Sequence, residues 1–130
     1  MKYIPADASE FVPASHEDPN KPGVLKRVIA TAADLQSGTV PMVNWSHLPV
    51  GHSFALHYHE DMQEVFVLIS GQVEMIVAGE TIRMSPGDTV LVDPTEHHKM
   101  INTGESAAEY LVFGIASGTG GQTVIVDEKA

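Results

Sequence analysis

Apolar positions in this chain are gathered into short blocks. From Val24 onward they read "VLKRVIA", "TVPMVNWSHL", "SFALHYH", "EVFVLIS", "QVEMIVA", "ETIRM", "DTVLVD", "HHKMIN", "AEYLVFGIA" and "TVIVD", punctuated by Gly, Pro, Asp, Asn and Ser. Blocks this short and this rich in Val, Ile, Phe and Thr predict β-strands, because branched and aromatic side chains pack well on a pleated surface. They follow one another too closely for helices to cross between parallel strands, so the pattern predicts an antiparallel all-β sandwich or barrel. Within "EVFVLIS", alternation puts Glu64, Phe66 and Leu68 on one face and Val65, Val67 and Ile69 on the other. "ATAADLQSG" lacks a clear apolar stripe and predicts a turn or a single helical turn. Residues 1–23 are proline-rich, with turn chemistry in "EDPNKPG", and predict an extended N-terminal arm suited to packing on a neighbouring subunit. Residues 24–130 then form one domain, with no repeat of 20 to 50 residues.

Composition narrows the functional classes. A chain of 130 residues has room for one domain with a real core. Its formal charge of −10, with only seven Lys and Arg, is the wrong sign for neutralising phosphates and excludes nucleic acid as the expected partner. No run approaches the ~20 apolar residues of a membrane span, and "MKYIPADASEFVPASHEDPN" lacks the apolar stretch of a signal peptide, so no membrane partner and a cytoplasmic location are expected. The absence of cysteine removes disulfides and thiolate sites together, so any metal must be held by imidazole and carboxylate.

The histidines are therefore the residues to follow. On a strand, His57 and His59 share a face with Cα atoms about 6.6 Å apart, and Phe54, Leu56 and Tyr58 lie on the other face. Glu64 heads an otherwise apolar strand, where burying its charge is costly without a cationic partner, and a divalent ion shared with the two imidazoles would be one. Glu60 and Asp61 fall in the intervening turn and are expected to face water. "DPTEHHKMIN" offers two more histidines; His97 and His98 face opposite ways, so one of them can join, and the pattern does not choose. Around such a site Phe66 and Met100 are candidate pocket walls, Arg83 a candidate partner for a substrate carboxylate, and His97 a candidate proton shuttle.

These residues also carry a resemblance. Gly51, His57, His59, Glu64 and Gly71 fit every position of G-x5-H-x-H-x4-E-x6-G, the first motif of the cupin superfamily, over residues 51–71. Its second motif, G-x5-P-x-G-x2-H-x3-N, fits residues 87–102 at Gly87, His98 and Asn102, with Asp93 in place of the proline and Thr95 in place of the second glycine. The chain thus resembles a small single-domain cupin. The resemblance implies a β-jelly-roll barrel with one divalent transition metal ion (Fe, Mn, Ni, Zn, Co or Cu) held by His57, His59, Glu64 and His98, and a homodimer. It further implies a small-molecule ligand: either an enzyme acting on an oxygen-rich compound, as a dioxygenase or a Lewis-acid isomerase or lyase, or a module that binds a sugar or carboxylate without turnover, or a purely structural ion.

Overall fold

The computed structural model describes residues 1–118 and 120–128. Its strands are β1 (Lys2–Ile4), β2 (Val12–Pro13), β3 (Leu25–Lys26), β4 (Val43–Leu48), β5 (His57–His59), β6 (Met62–Ser70), β7 (Val73–Val77), β8 (Glu80–Met84), β9 (Thr89–Val92), β10 (His98–Ile101), β11 (Ala108–Ala116) and β12 (Thr123–Ile125). Every ladder is antiparallel, and no helix occurs among the described residues. The "ATAADLQSG" segment is a run of turns. No helix long and apolar enough to cross a membrane is present among them.

Two five-stranded sheets face each other, in the orders β1-β9-β6-β11-β4 and β12-β5-β10-β7-β8, to make a jelly-roll barrel. Alternation on β6 explains the layering. Phe66 and Leu68 point between the sheets into a core with Met75, Met84, Val90 and Met100, while Val65 points outward. That outer face is not left to water: Val65 and Leu91 pack with Ile4, Ile29 and Leu35. β9 is therefore buried on both faces, which is why "TVLV" reads as a continuous apolar run and not as an alternation.

The same packing shows where residues 1–23 lie. The arm lies against its own barrel: β1 pairs with β9 in the register Lys2↔Leu91 to Ile4↔Thr89, and Ile4 fills the outer cluster. Buried Asp88 secures it by accepting hydrogen bonds from Tyr3 Oη at 2.9 Å and Ala6 N at 2.8 Å. The boundary at residue 23 also falls inside a hairpin, because Val12 and Pro13 on β2 pair with Lys26 and Leu25 on β3. Without β1, the apolar strand β9 would form a bare sheet edge.

Gly71 joins β6 to β7 at a φ of 89°, and a Cβ there would lie 2.9 Å from Ala108 Cα, so both conformation and space require glycine. Gly79, between β7 and β8, has a φ of 81° but open space around it. Denaturant unfolding is expected to show Gly79→Ala costing about 1 kcal/mol, the left-handed penalty alone. Gly71→Ala should cost clearly more, because backbone must also move; equal losses at the two positions would refute the steric part.

Candidate metal centre

Strands from both sheets build the site. β5 carries His57 and His59 on its inward face, and β10 pairs with β5 at His98↔His57, which sets the His98 ring beside that of His57 with centroids 4.4 Å apart. β6, in the opposite sheet, brings Glu64 across the barrel. One ligand atom from each of His57, His59, Glu64 and His98 lies within 4.8 Å of the others. His59, Glu64 and His98 are buried and His57 is half-buried. The register of β10 thus selects His98, the choice that the strand pattern alone left open.

The hydrogen bonds behind the rings decide what the cluster can hold. His57 Nδ1 lies 2.7 Å from the Ala55 carbonyl, His98 Nδ1 2.9 Å from that of Glu96, and His59 Nδ1 3.2 and 3.3 Å from those of Gly121 and Gln122. A carbonyl oxygen can only accept, so each Nδ1 carries the proton and each neutral ring has its lone pair on Nε2. Yet His59 Nε2 and His98 Nε2 each sit 2.9 Å from the same Glu64 Oε1. Two lone pairs against a carboxylate oxygen repel unless a cation lies among them. His59 Nε2, although close, is a buried nitrogen aligned for no hydrogen bond. This donor set, three imidazole nitrogens and one carboxylate oxygen, fits a divalent transition ion.

Without an ion, a proton takes the place. Burial opposes ionisation of Glu64, but protonated His59 and His98 rings against its Oε1 outweigh it and hold the carboxyl down at about 2. Burial likewise works against the charged form of His59, yet the Glu64 carboxylate overcomes it and raises its pKa. His57 moves the other way, because burial pushes its pKa down more than the Ala55 carbonyl restores.

Beside the cluster lies a cavity of about 270 Å³ walled by His57, His59 and Glu64, by Phe54, Phe66 and Val112, and by Met42, Asn44, Ser46, Tyr110 and Thr123. Phe66 stands where the alternation of β6 puts it, 5.8 Å from the His98 ring. Phe54 does not: β5 begins only at His57, the preceding residues are irregular, and strand parity therefore fails, leaving Phe54 5.2 Å from the His57 ring. Tyr58 keeps the outward face and stacks on His97 at 4.7 Å, so His97 is exposed on the far side of β10 and no shuttle at the metal centre. Arg83 is also outside, 78 % exposed on the edge strand β8 and 3.9 Å from Glu74. Met100 is fully buried in the core and does not line the cavity. A larger hollow of about 590 Å³, bordered by His97 and Lys99, lies on the outer surface away from the ligating cluster. Asn44, Ser46, Tyr110 and Thr123 were not singled out from sequence; the alternation in "VNWSHL", with Asn44 and Ser46 sharing a face, was the available signal.

In the second motif, Asn102 ties backbone together: its Nδ2 donates to the Leu48 and Ser106 carbonyls, and its Oδ1 accepts from Gly104 N. Thr95, at the position of the motif's second glycine, takes a φ of 71°, a strained conformation for a β-branched residue, while its amide donates to the His59 carbonyl at 2.7 Å.

A jelly-roll barrel with three inward imidazoles and a carboxylate between its sheets defines a class of metal-site proteins. The chain belongs to the Cupin domain family, whose profile matches residues 44–114 and so includes all four cluster residues. It is similar to an oxalate-binding protein of Thermotoga maritima, 33% identical over 64 residues, which cover 49% of this chain and 53% of that protein. An uncharacterized protein of Methanocaldococcus jannaschii is 32% identical over 57 residues, 44% of this chain and 46% of the other. The chain thus matches about half the length of these curated relatives. Among solved structures, a predicted oxalate decarboxylase of Thermotoga maritima superposes with a TM-score of 0.58 at 28% identity, over 59% of this chain and 67% of the other. A sugar phosphate isomerase from a cupin superfamily of Silicibacter pomeroyi shares the fold, with a TM-score of 0.54 at 20% identity over 66% and 68% of the two chains.

Metal uptake requires neutral imidazoles, and His59 keeps its proton to a pH above its ordinary value of 6.5. Below that raised pKa an entering ion must displace the proton, so apparent affinity falls as pH falls, by about tenfold per unit for each proton displaced. Competition with a chromogenic chelator, using Zn(II) or Mn(II) between about pH 8 and about pH 5, reads this directly. An affinity flat across that range would exclude the histidines as ligands.

Proposed function

We propose that the protein is a metal-dependent enzyme that binds a divalent transition ion through His57, His59, Glu64 and His98 and acts on a small oxygen-rich acid or enolisable carbonyl compound held through two oxygens. The observation that carries this reading is that three of the four donors, His57, His59 and Glu64, border a cavity, with His98 buried behind them. Four protein donors leave an octahedral ion two further positions, the number a chelating substrate uses. When bound, the ion supplies Lewis acidity and, if redox-active, a route to oxygen chemistry.

The walls supply the rest. Phe54, Phe66 and Val112 exclude water, while Asn44, Ser46 and Thr123 offer hydrogen bonds that orient oxygens. Burial and the nearby Glu64 charge raise the pKa of Tyr110, so its hydroxyl stays protonated and donates at neutral pH. No lysine or arginine lines the cavity, which favours a compact carboxylate over a phosphorylated sugar, whose phosphate calls for fixed cations. About 270 Å³ lies just under the usual range for ligand pockets and suits a small acid. The oxalate-binding protein among the relatives agrees with that class. A second reading, binding without turnover, is favoured by one feature: apart from the ligands, Tyr110 is the cavity's single side chain with a titratable proton.

The test begins with metal analysis of protein purified without chelators. Oxygen uptake and carbon dioxide release are then followed with oxalate, hydroxy acids, small diketones and phenols, for the protein loaded with each candidate ion. Turnover of at least one compound is expected, and Glu64→Gln should lower it by at least about 100-fold. Saturable calorimetric binding with no turnover for any ion would assign the site to binding alone; no metal uptake would overturn both readings.

A further inference from the structure

His57 and His98 take their orienting carbonyls from residues just before them on the chain, Ala55 and Glu96. His59 takes its from Gly121 and Gln122, more than sixty residues away in sequence, and this loop needs its own support. Asp61, expected from the sequence to face water, provides it. Its Oδ1 accepts from Gly121 N at 3.0 Å and its Oδ2 from Gly120 N at 3.2 Å. Its carbonyl accepts from Ser117 N at 3.0 Å, Ser117 Oγ at 3.1 Å and Gln36 Nε2 at 3.1 Å. Gly120 and Gly121 have φ of 90° and 79°, the left-handed region that favours glycine. A Cβ on Gly121 would lie 2.5 Å from Met62 Sδ, so the loop is also seated against the residue next to Asp61.

We propose that Asp61 is a positioning residue for the metal centre: its carboxylate holds the glycine loop whose carbonyls keep the His59 proton on Nδ1 and leave Nε2 free to ligate. The effect on metal affinity rests on the function proposed above; the effect on the His59 tautomer does not. Removing the carboxylate frees the loop, weakens the carbonyl contacts and lets the proton move to Nε2, where it blocks the ligand position. The signature is local, because the anchors of His57 and His98 do not pass through this loop.

Long-range proton–nitrogen correlation spectra of the imidazole rings, recorded on metal-free Asp61→Ala and Asp61→Asn at a pH where the rings are neutral, test this directly. The His59 Nε2–H tautomer is expected to grow in Asp61→Ala and, less, in the isosteric Asp61→Asn, while His57 and His98 stay protonated at Nδ1. Chelator competition with Zn(II) or Mn(II) should show affinity weakened about 10–100-fold in Asp61→Ala. Gly121→Ala, which keeps the carboxylate but displaces the loop, should give the same His59-specific change. An unaltered His59 tautomer in Asp61→Asn or Asp61→Ala, or an equal shift of all three histidines, overturns the proposal. Failure of the unaltered protein to take up metal would sink the proposed function and leave the tautomer result to decide the role of Asp61.

Discussion

The structure turns on a mismatch of hydrogen-bonding roles. Four backbone carbonyls hold three imidazoles by Nδ1, and a carboxylate stands where the free nitrogens converge, so the middle of the barrel presents acceptors to one another. Glu64 is 4% exposed, and removing a carboxylate from water costs several kcal/mol unless a cation answers it. The strand framework holds that arrangement, because β5 and β10 are paired at His57 and His98 and β6 is braced between β9 and β11 in the facing sheet. The cation is thus required by the site's own chemistry, and the choice left to the protein is between a proton and a metal ion.

Bracing explains why so much of the chain lies outside the site. β6 carries Glu64 and is a central strand, and its outer face is covered by Ile4, Ile29 and Leu35 from the N-terminal third. Burial on both faces fixes its register, since a slip by one residue would send Glu64 outward and Val65 into the cavity. The N-terminal segment contributes to the site by holding the sheet that aims one carboxylate, and Gln36 adds a hydrogen bond to the Asp61 carbonyl.

What could be read from the sequence was what depends on strand spacing. His57, His59 and Glu64 stand on regular strands, where alternation fixes direction, and the barrel follows from the blocks and their punctuation. What could not be read depends on irregular backbone or distant partners. Phe54 reaches the cavity because the chain before β5 is not a strand. Strand alternation alone does not choose between His97 and His98; the second motif's spacing picks His98, and the ladder with β5 that places it joins residues some forty positions apart. Arg83 reads as a lone cation near the motifs but falls on an edge strand facing water. Asp61 reads as a turn acid because its partners, Gly120 and Gly121, are nearly sixty residues away. The seat of the arm on its own sheet could not be read either, because proline-rich sequence signals extension without saying on what surface the extended chain lies.

The distribution of charge then bears on what the site can admit. The chain carries −10 overall, a field that opposes an approaching anion beyond the first few ångströms, and the cavity wall holds no lysine or arginine against it. A divalent ion held by one carboxylate and three neutral imidazoles keeps a net charge of about +1, in a place where low dielectric strengthens it. On the proposed function, affinity for an acid would therefore be lodged almost entirely in the ion. Residues that hold imidazole protons on Nδ1, with Asp61 proposed among them, would govern whether an ion is bound, and through it whether an anionic ligand is. A fixed arginine in the wall would bind an acid with or without metal; with none among the lining residues, the proposed ligand recognition would depend on metal loading, and the geometry behind the rings would matter as much as the four ligands themselves.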